Sequence, residues 1–292
     1  MTLAAPMRCS VLAEQLTEPM TGTVDQRRRW LLIEDRSAWG SEAVRDQLGP
    51  DDADLAKRLG LRVVLVRRRE GDPTDDVVRR VMLIDTVTRE MAVRFVAGIG
   101  EVSVQEAASE PVGEFGPPFT APMFLVCTNG KRDACCALRG RALVGALARD
   151  HADGTWECTH LGGHRFAGNL VCLPDGIVYG RVGADDGPRL AAEYLAGRLD
   201  PSLLRGRSAW PAPAQVAEME LRQRLSLRGV DDVTLVAAGE GGGRAAVTMA
   251  TPDGTEHRLD ALRHELEPPR PISCRADELE QPEHWVVAAG AD

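Results

Sequence analysis

No apolar run in this sequence approaches the ~18 consecutive residues of a membrane-spanning helix, so no membrane association is expected. The opening stretch "MTLAAPMRCSVLAEQL" lacks a basic start followed by a long apolar segment, so no secretory signal is expected either. Positive charge is not in excess. Thirty-five Lys and Arg stand against 44 Asp and Glu, a net charge of −9, which argues against a nucleic-acid partner. The basic runs at 27–29 and 67–69 abut strand-like apolar segments and read as solvated strand ends. Internal repeats, long low-complexity tracts and a Cys-x-x-Cys motif are all missing. The seven cysteines are odd in number and not spaced as a disulfide framework, and 292 residues can bury a core without one. Reduced thiols in a cytoplasmic protein are the expectation.

What is present has a clear order. The runs at 61–69, 81–87 and 91–98 are β-branched and of strand length, and 30–46 reads as strand, turn and helix start. The Pro- and Gly-containing stretch from Gly98 to Pro122 reads as a loop or linker. "MFLVC" (123–127) is a buried-strand candidate. "ACCALRGRALVGALARD" (134–150) has helical spacing, with Asp133 as its N-cap. A strand at 155–160, a hairpin turning at "PDG" (174–176) and a helix at 186–197 follow. Beyond Trp210 a helix and two strands are predicted. The glycine cluster "GEGGGR" lies between those strands, without the helix or Lys-Ser/Thr of a phosphate loop, and reads as a hairpin turn. The Pro-rich tail from Glu267 has no assignment.

Two concentrations of chemistry stand out. "CTNGKRDACC" (127–136) holds three of the seven cysteines, and "HLGGHRFAGN" (160–169) holds two of the six histidines. In an open α/β sheet, ligands gather beyond the carboxyl ends of parallel strands. Cys127, at the end of one strand, should therefore face His160 at the end of the next and His164 four residues later, with Cys135 or Cys136 entering from the helix start. Thiolate with imidazole selects zinc or an iron–sulfur cluster rather than magnesium or calcium. Small zinc modules usually space their paired cysteines two to four residues apart. The wider loop here suits a larger object, and histidine ligation of such a cluster has precedent in Rieske centres. Gly162 and Gly163 allow a tight bend between the histidines. Arg165 and Asn169 are candidates to orient the ligands. Taken singly, a strand-end cysteine is usually a small buried hydrophobe. Cys9, Cys158, Cys172 and Cys274 are read that way, and His151, His257, His264 and His284 as surface groups.

These motifs, followed by "LPDGIVYGRV", resemble the sucrase/ferredoxin-like proteins, a branch of the thioredoxin-like [2Fe–2S] ferredoxins with a His-x3-His ligand pair. The resemblance runs from about residue 9 to residue 200 and includes "TEPMTGTVDQRRRWLLIEDRSAWGSEAV". It implies Cys127, Cys136, His160 and His164 as cluster ligands. Cys136 is chosen over Cys135 by the family's RD-x-x-C pattern at Arg132 and Asp133. The implied fold class is α/β: an N-terminal α+β region (1–117), a thioredoxin-like [2Fe–2S] domain (118–200), and a small C-terminal α+β region of helix and β-hairpin (201–292). The implied activity is one-electron transfer or redox sensing with a redox partner protein, rather than transformation of a substrate. No carboxylate pair supports a glycosidase reading of the family name. The alternatives are a structural zinc site on the same four ligands, a thiol oxidoreductase using Cys135–Cys136, a pair whose disulfide would be strained, and a small-molecule enzyme whose cluster is only structural.

Overall fold

Alternate residues of a strand face opposite ways, and in this chain both ways lead into apolar cores. A computed structural model describes residues 7–68 and 78–288. The first six residues of the opening stretch and Arg69 of the second basic run lie outside the described residues.

The first elements are α1 (Cys9–Gln15), β1 (Arg29–Glu34), α2 (Ala43–Leu48), α3 (Pro50–Arg58), β2 (Leu61–Arg67), β3 (Arg79–Asp85) and β4 (Glu90–Val96). Then come α4 (Val104–Ser109), α5 (Val112–Phe115), β5 (Met123–Cys127), α6 (Ala134–Asp150), β6 (Thr155–Cys158), β7 (Leu170–Leu173), β8 (Ile177–Tyr179), α7 (Asp186–Leu195) and β9 (Leu204–Arg207). All nine strands form one mixed sheet in the order β4-β3-β1-β2-β6-β5-β7-β8-β9. The β5–α6–β6–β7–β8–α7 stretch follows the order expected from sequence. The sheet continues across the 117/118 boundary because β2 pairs antiparallel with β6, Val66 opposite Cys158.

The period of two sorts the core. Leu31, Ile33, Val63 and Leu65 point into one cluster, and Trp30, Leu32, Val64 and Val66 into another. In β5, Met123, Leu125 and Cys127 share that second cluster, while Phe124 and Val126 pack beneath α6 and α7.

The segment 98–122, expected as loop, contains two short helices. Ser103 caps α4 by accepting from the Glu106 N–H. Val104, Ala107, Val112 and Phe115 are buried against the strands, so tertiary packing stabilises turns too short to stand alone. The C-terminal region also holds more than a helix and hairpin. α8 (Ala212–Leu225) packs on an antiparallel sheet of β10 (Thr234–Gly241), β11 (Arg244–Ala250), β12 (Glu256–Glu265) and β13 (Glu283–Val287). Ala214, Ala217 and Leu221 meet Val247, Met249 and Leu259. The pairing of β10 with β11 across Gly242–Gly243 confirms the hairpin turn. β12 was hidden by its charges, and β13 joins it only after 17 intervening residues folded back by the Arg270–Glu280 bridge.

Candidate metal centre

β5 and β6 are parallel, with Cys127 opposite Cys158. The chain leaves both strands at the same end of the sheet, so the 128–133 and 159–164 loops are neighbours. Asp133 starts α6 by accepting from the Cys135 N–H at 2.9 Å. This places both Cys135 and Cys136 in the helix's first turn, where successive side chains diverge by about 100°. Cys136 falls in the same cluster as Cys127, Cys158 and Leu161, whereas Cys135 packs with Cys9 and Ala167.

The Sγ atoms of Cys127 and Cys136 and a ring nitrogen of His160 lie within 4.8 Å of one another. His164 is not in that set, but its ring stacks on His160 with centroids 4.3 Å apart and planes 23° apart. The Nδ1 atoms of both histidines are buried and have no hydrogen-bond partner. Buried polar nitrogens without partners are costly, and a bound metal would satisfy them. The four residues thus fit a metal or cluster, and their donor chemistry is soft to borderline.

The electrostatics prepare the same atoms for ligation. The Cys127 thiol is held well below its ordinary range because Cys136 donates to it, with His160 and the Leu161 N–H assisting against burial. Cys136 is raised correspondingly, since it keeps the proton beside the Cys127 thiolate. Burial, and then the neighbouring His160, push His164 down to about 4, so its imidazole is neutral at physiological pH.

The loop geometry is held by groups that sequence reasoning only partly identified. Gly162 and Gly163 have φ of 87° and 66°, the left-handed region that favours glycine. Asn169 donates to the Gly163 carbonyl at 3.0 Å and accepts from Arg205 at 2.7 Å. Arg165, the other expected orienting residue, pairs instead with buried Glu18. Arg205 and Arg62 were not foreseen. Arg205 is 2% exposed and also donates to the Thr23 and Gly162 carbonyls. Burial, and then Arg165 and Arg62, push it down to about 9, and it remains a cation at neutral pH. Arg62 donates to the His160 carbonyl at 2.8 Å. Neither arginine carries a local sequence signal, since both reach the loop from distant strands.

The two histidines border separate clefts. One, about 430 Å³, brings Arg27, Arg62, Asn129 and Arg132 around His160. The other, about 390 Å³, brings Glu42, Arg132, Ser273 and Arg275 around His164. Cys158 and Cys172 are fully buried strand residues. Cys9 and Cys274, expected to be inert, instead lie beside Cys135. Among the described residues no helix is long and apolar enough to cross a membrane.

A family model described as sucrase/ferredoxin-like matches residues 20–206. Among curated proteins, similarity is local. "Altered inheritance of mitochondria protein 32" of Meyerozyma guilliermondii is 34% identical over 77 residues, 23% of this chain and 27% of that protein. The protein of the same name from Eremothecium gossypii is 40% identical over 68 residues, 22% of this chain and 21% of that protein. The match therefore spans about a quarter of those relatives' length. No solved structure matches the chain.

Proposed function

Because the chain belongs to the sucrase/ferredoxin-like family, we propose that it is a one-electron carrier or redox sensor that holds a [2Fe–2S] cluster in a thioredoxin-like unit at 118–200. Cys127 and Cys136 would hold one iron, and His160 and His164 the other. The observation that carries this reading is the convergence of Cys127, Cys136 and His160 within 4.8 Å, with His164 stacked on His160 and both Nδ1 atoms unpartnered. Bound there, the cluster supplies reversible uptake of a single electron.

The chain's own residues set the conditions for that uptake. Two thiolates and two neutral imidazoles carry less negative charge than four thiolates. Arg205 and Arg62 add positive charge close by. Both effects favour the reduced state and raise the potential above the ~−400 mV of plant-type ferredoxins. Asn169 and Arg205 keep the His160–His164 loop in place, which limits reorganisation. The two clefts give solvent and a redox partner access to the histidine side of the site. Seven unbridged cysteines suit a reducing, cytoplasmic setting.

A single zinc ion on the same residues is the second reading, favoured by the short spread of the Cys127, Cys136 and His160 ligand atoms. Electron paramagnetic resonance of the dithionite-reduced protein, with iron and sulfide counts, separates the two. A rhombic or axial signal with about two iron and two sulfide per chain is expected. A colourless, iron-free protein containing zinc would replace the cluster with the second reading.

A further inference from the structure

Cys9, Cys135 and Cys274 come from the first helix, the start of α6 and the C-terminal tail. Their Sγ atoms form a nearly equilateral triangle: 3.7 Å from Cys9 to Cys135, 3.3 Å from Cys135 to Cys274 and 3.5 Å from Cys274 to Cys9. The Asp133 Oδ2 atom lies 3.7 Å from the Cys9 sulfur. All four ligand atoms fall within 4.8 Å of one another. We propose that Cys9, Cys135, Cys274 and Asp133 form a second metal site, distinct from the Cys127 centre, that binds one zinc ion through three thiolates and a carboxylate.

The spacing suits a single ion. Zinc–sulfur bonds of about 2.3 Å in a tetrahedral centre hold ligand sulfurs about 3.8 Å apart. The observed triangle is slightly contracted from that, so binding needs a small expansion and no change of fold. A disulfide would join two of the sulfurs at about 2.05 Å and leave the third without a role. The near-equal sides favour a centre over a pair. The donor set of soft thiolates selects zinc over magnesium or calcium.

The surroundings are built to support bound thiolates. The Cys9 N–H points at the Cys274 sulfur at 3.5 Å. Ser10 donates to Cys135 through both its N–H and its hydroxyl. Asp133 is oriented by the Cys135 N–H at 2.9 Å, the Cys274 N–H at 2.8 Å and the Ser273 hydroxyl at 3.0 Å. Such partners fix ligand orientation, and the N-terminus of the 17-residue α6 opposes the excess negative charge. Cys9 and Cys135 are 2% and 0% exposed, whereas Cys274 is exposed. The ion would bind the two ends of the chain to the helix that carries Cys136, with Cys274 as its solvent-facing ligand.

The test uses the full chain, purified anaerobically without added reductant, with metal content and intact mass both read by mass spectrometry. Wild-type protein is expected to hold about one zinc per chain that Cys274→Ser and Cys9→Ser both lose. Iron content and visible spectrum should be unchanged in Cys274→Ser, and Cys127→Ser should keep this zinc. The exposed position of Cys274 makes Cys274→Ser the decisive variant should Cys9→Ser fail to fold. Failure of the [2Fe–2S] reading would appear as missing iron in wild type with the Cys274-dependent zinc still present, so the two proposals fall separately. Equal zinc in wild type and Cys274→Ser would overturn the site. So would copper in place of zinc, or an intact mass lighter by two hydrogens with a disulfide mapped within the trio.

Discussion

Gly140 is no ligand, yet replacing it with alanine should damage the Cys127 centre. It sits one turn beyond Cys136 on the face of α6 that meets β5. A Cβ built there would lie 2.2 Å from the Cys127 carbonyl oxygen and 3.3 Å from Thr128 Cγ2. Ordinary contact begins at 3.4 Å, so helix and strand would have to separate by about 1.2 Å, the difference between 3.4 and 2.2 Å. Neither side yields easily. The clashing atom is backbone, and β5 is held between β6 and β7. Two effects compete. Alanine gains ~1 kcal/mol of helix propensity over glycine, whereas overpacking costs about 1–3 kcal/mol and more where backbone must move. We expect the clash to win, with a net loss of roughly 1–2 kcal/mol and a Tm lower by about 2–8 °C. The same displacement carries Cys136 away from Cys127, so metal content should fall although every ligand is intact. Gly113→Ala is the control, because a Cβ there meets nothing within 4 Å. Scanning fluorimetry and metal analysis read both effects. An unchanged or raised Tm with full metal content in Gly140→Ala would refute the steric argument.

Other outcomes follow from the same geometry. Cys136→Ser should lose or severely destabilise the [2Fe–2S] cluster while Cys135→Ala keeps its visible spectrum, because Cys136 lies with Cys127 and Cys135 with Cys9; the reverse pattern would show the wrong cysteine was chosen. His160→Cys and His164→Cys should each still assemble a cluster but at a lower midpoint potential, since a thiolate stabilises ferric iron; an unchanged potential would remove that histidine from the ligand set. The midpoint potential of the wild-type protein should fall as pH rises, because oxidised iron lowers the imidazole pKa more than reduced iron does; redox titrations flat from about pH 6 to 10 would exclude the coupling. In metal-free protein His164 is depressed from 6.5 to about 4. Its contribution to stability is thus complete above its unfolded value and lost as pH falls from 6.5 toward 4. Urea midpoints of wild type and His164→Gln across that window should converge on acidification, and parallel curves would contradict it.

Much of the middle of the chain was legible because its signals are local. The 134–150 helix has its apolar spacing and Asp133 cap within one stretch, and the Pro174–Gly176 hairpin turn is a matter of a few residues. The strand ends expected at Cys127 and His160, together with the usual parallel arrangement, were enough to bring the cysteine loop to the histidine loop, although the second strand ends two residues earlier, at Cys158. Where stability came from contacts distant in sequence, local pattern failed. The two short helices at 104–115 depend on packing against strands, and β12 and β13 depend on each other.

Residue types and spacing therefore pointed to Cys127, His160 and His164 with one of Cys135 and Cys136, and the resemblance to the sucrase/ferredoxin-like family selected Cys136. Tertiary structure alone decided which way each of the adjacent cysteines faces. It alone brought Arg62 and Arg205 to the histidine loop and drew Cys9 and Cys274, 265 residues apart, onto Cys135. The reason is physical. A helix start or a turn is specified by neighbours along the chain, whereas a side chain's partner across the fold is set by how helices and strands pack, and no local pattern records that.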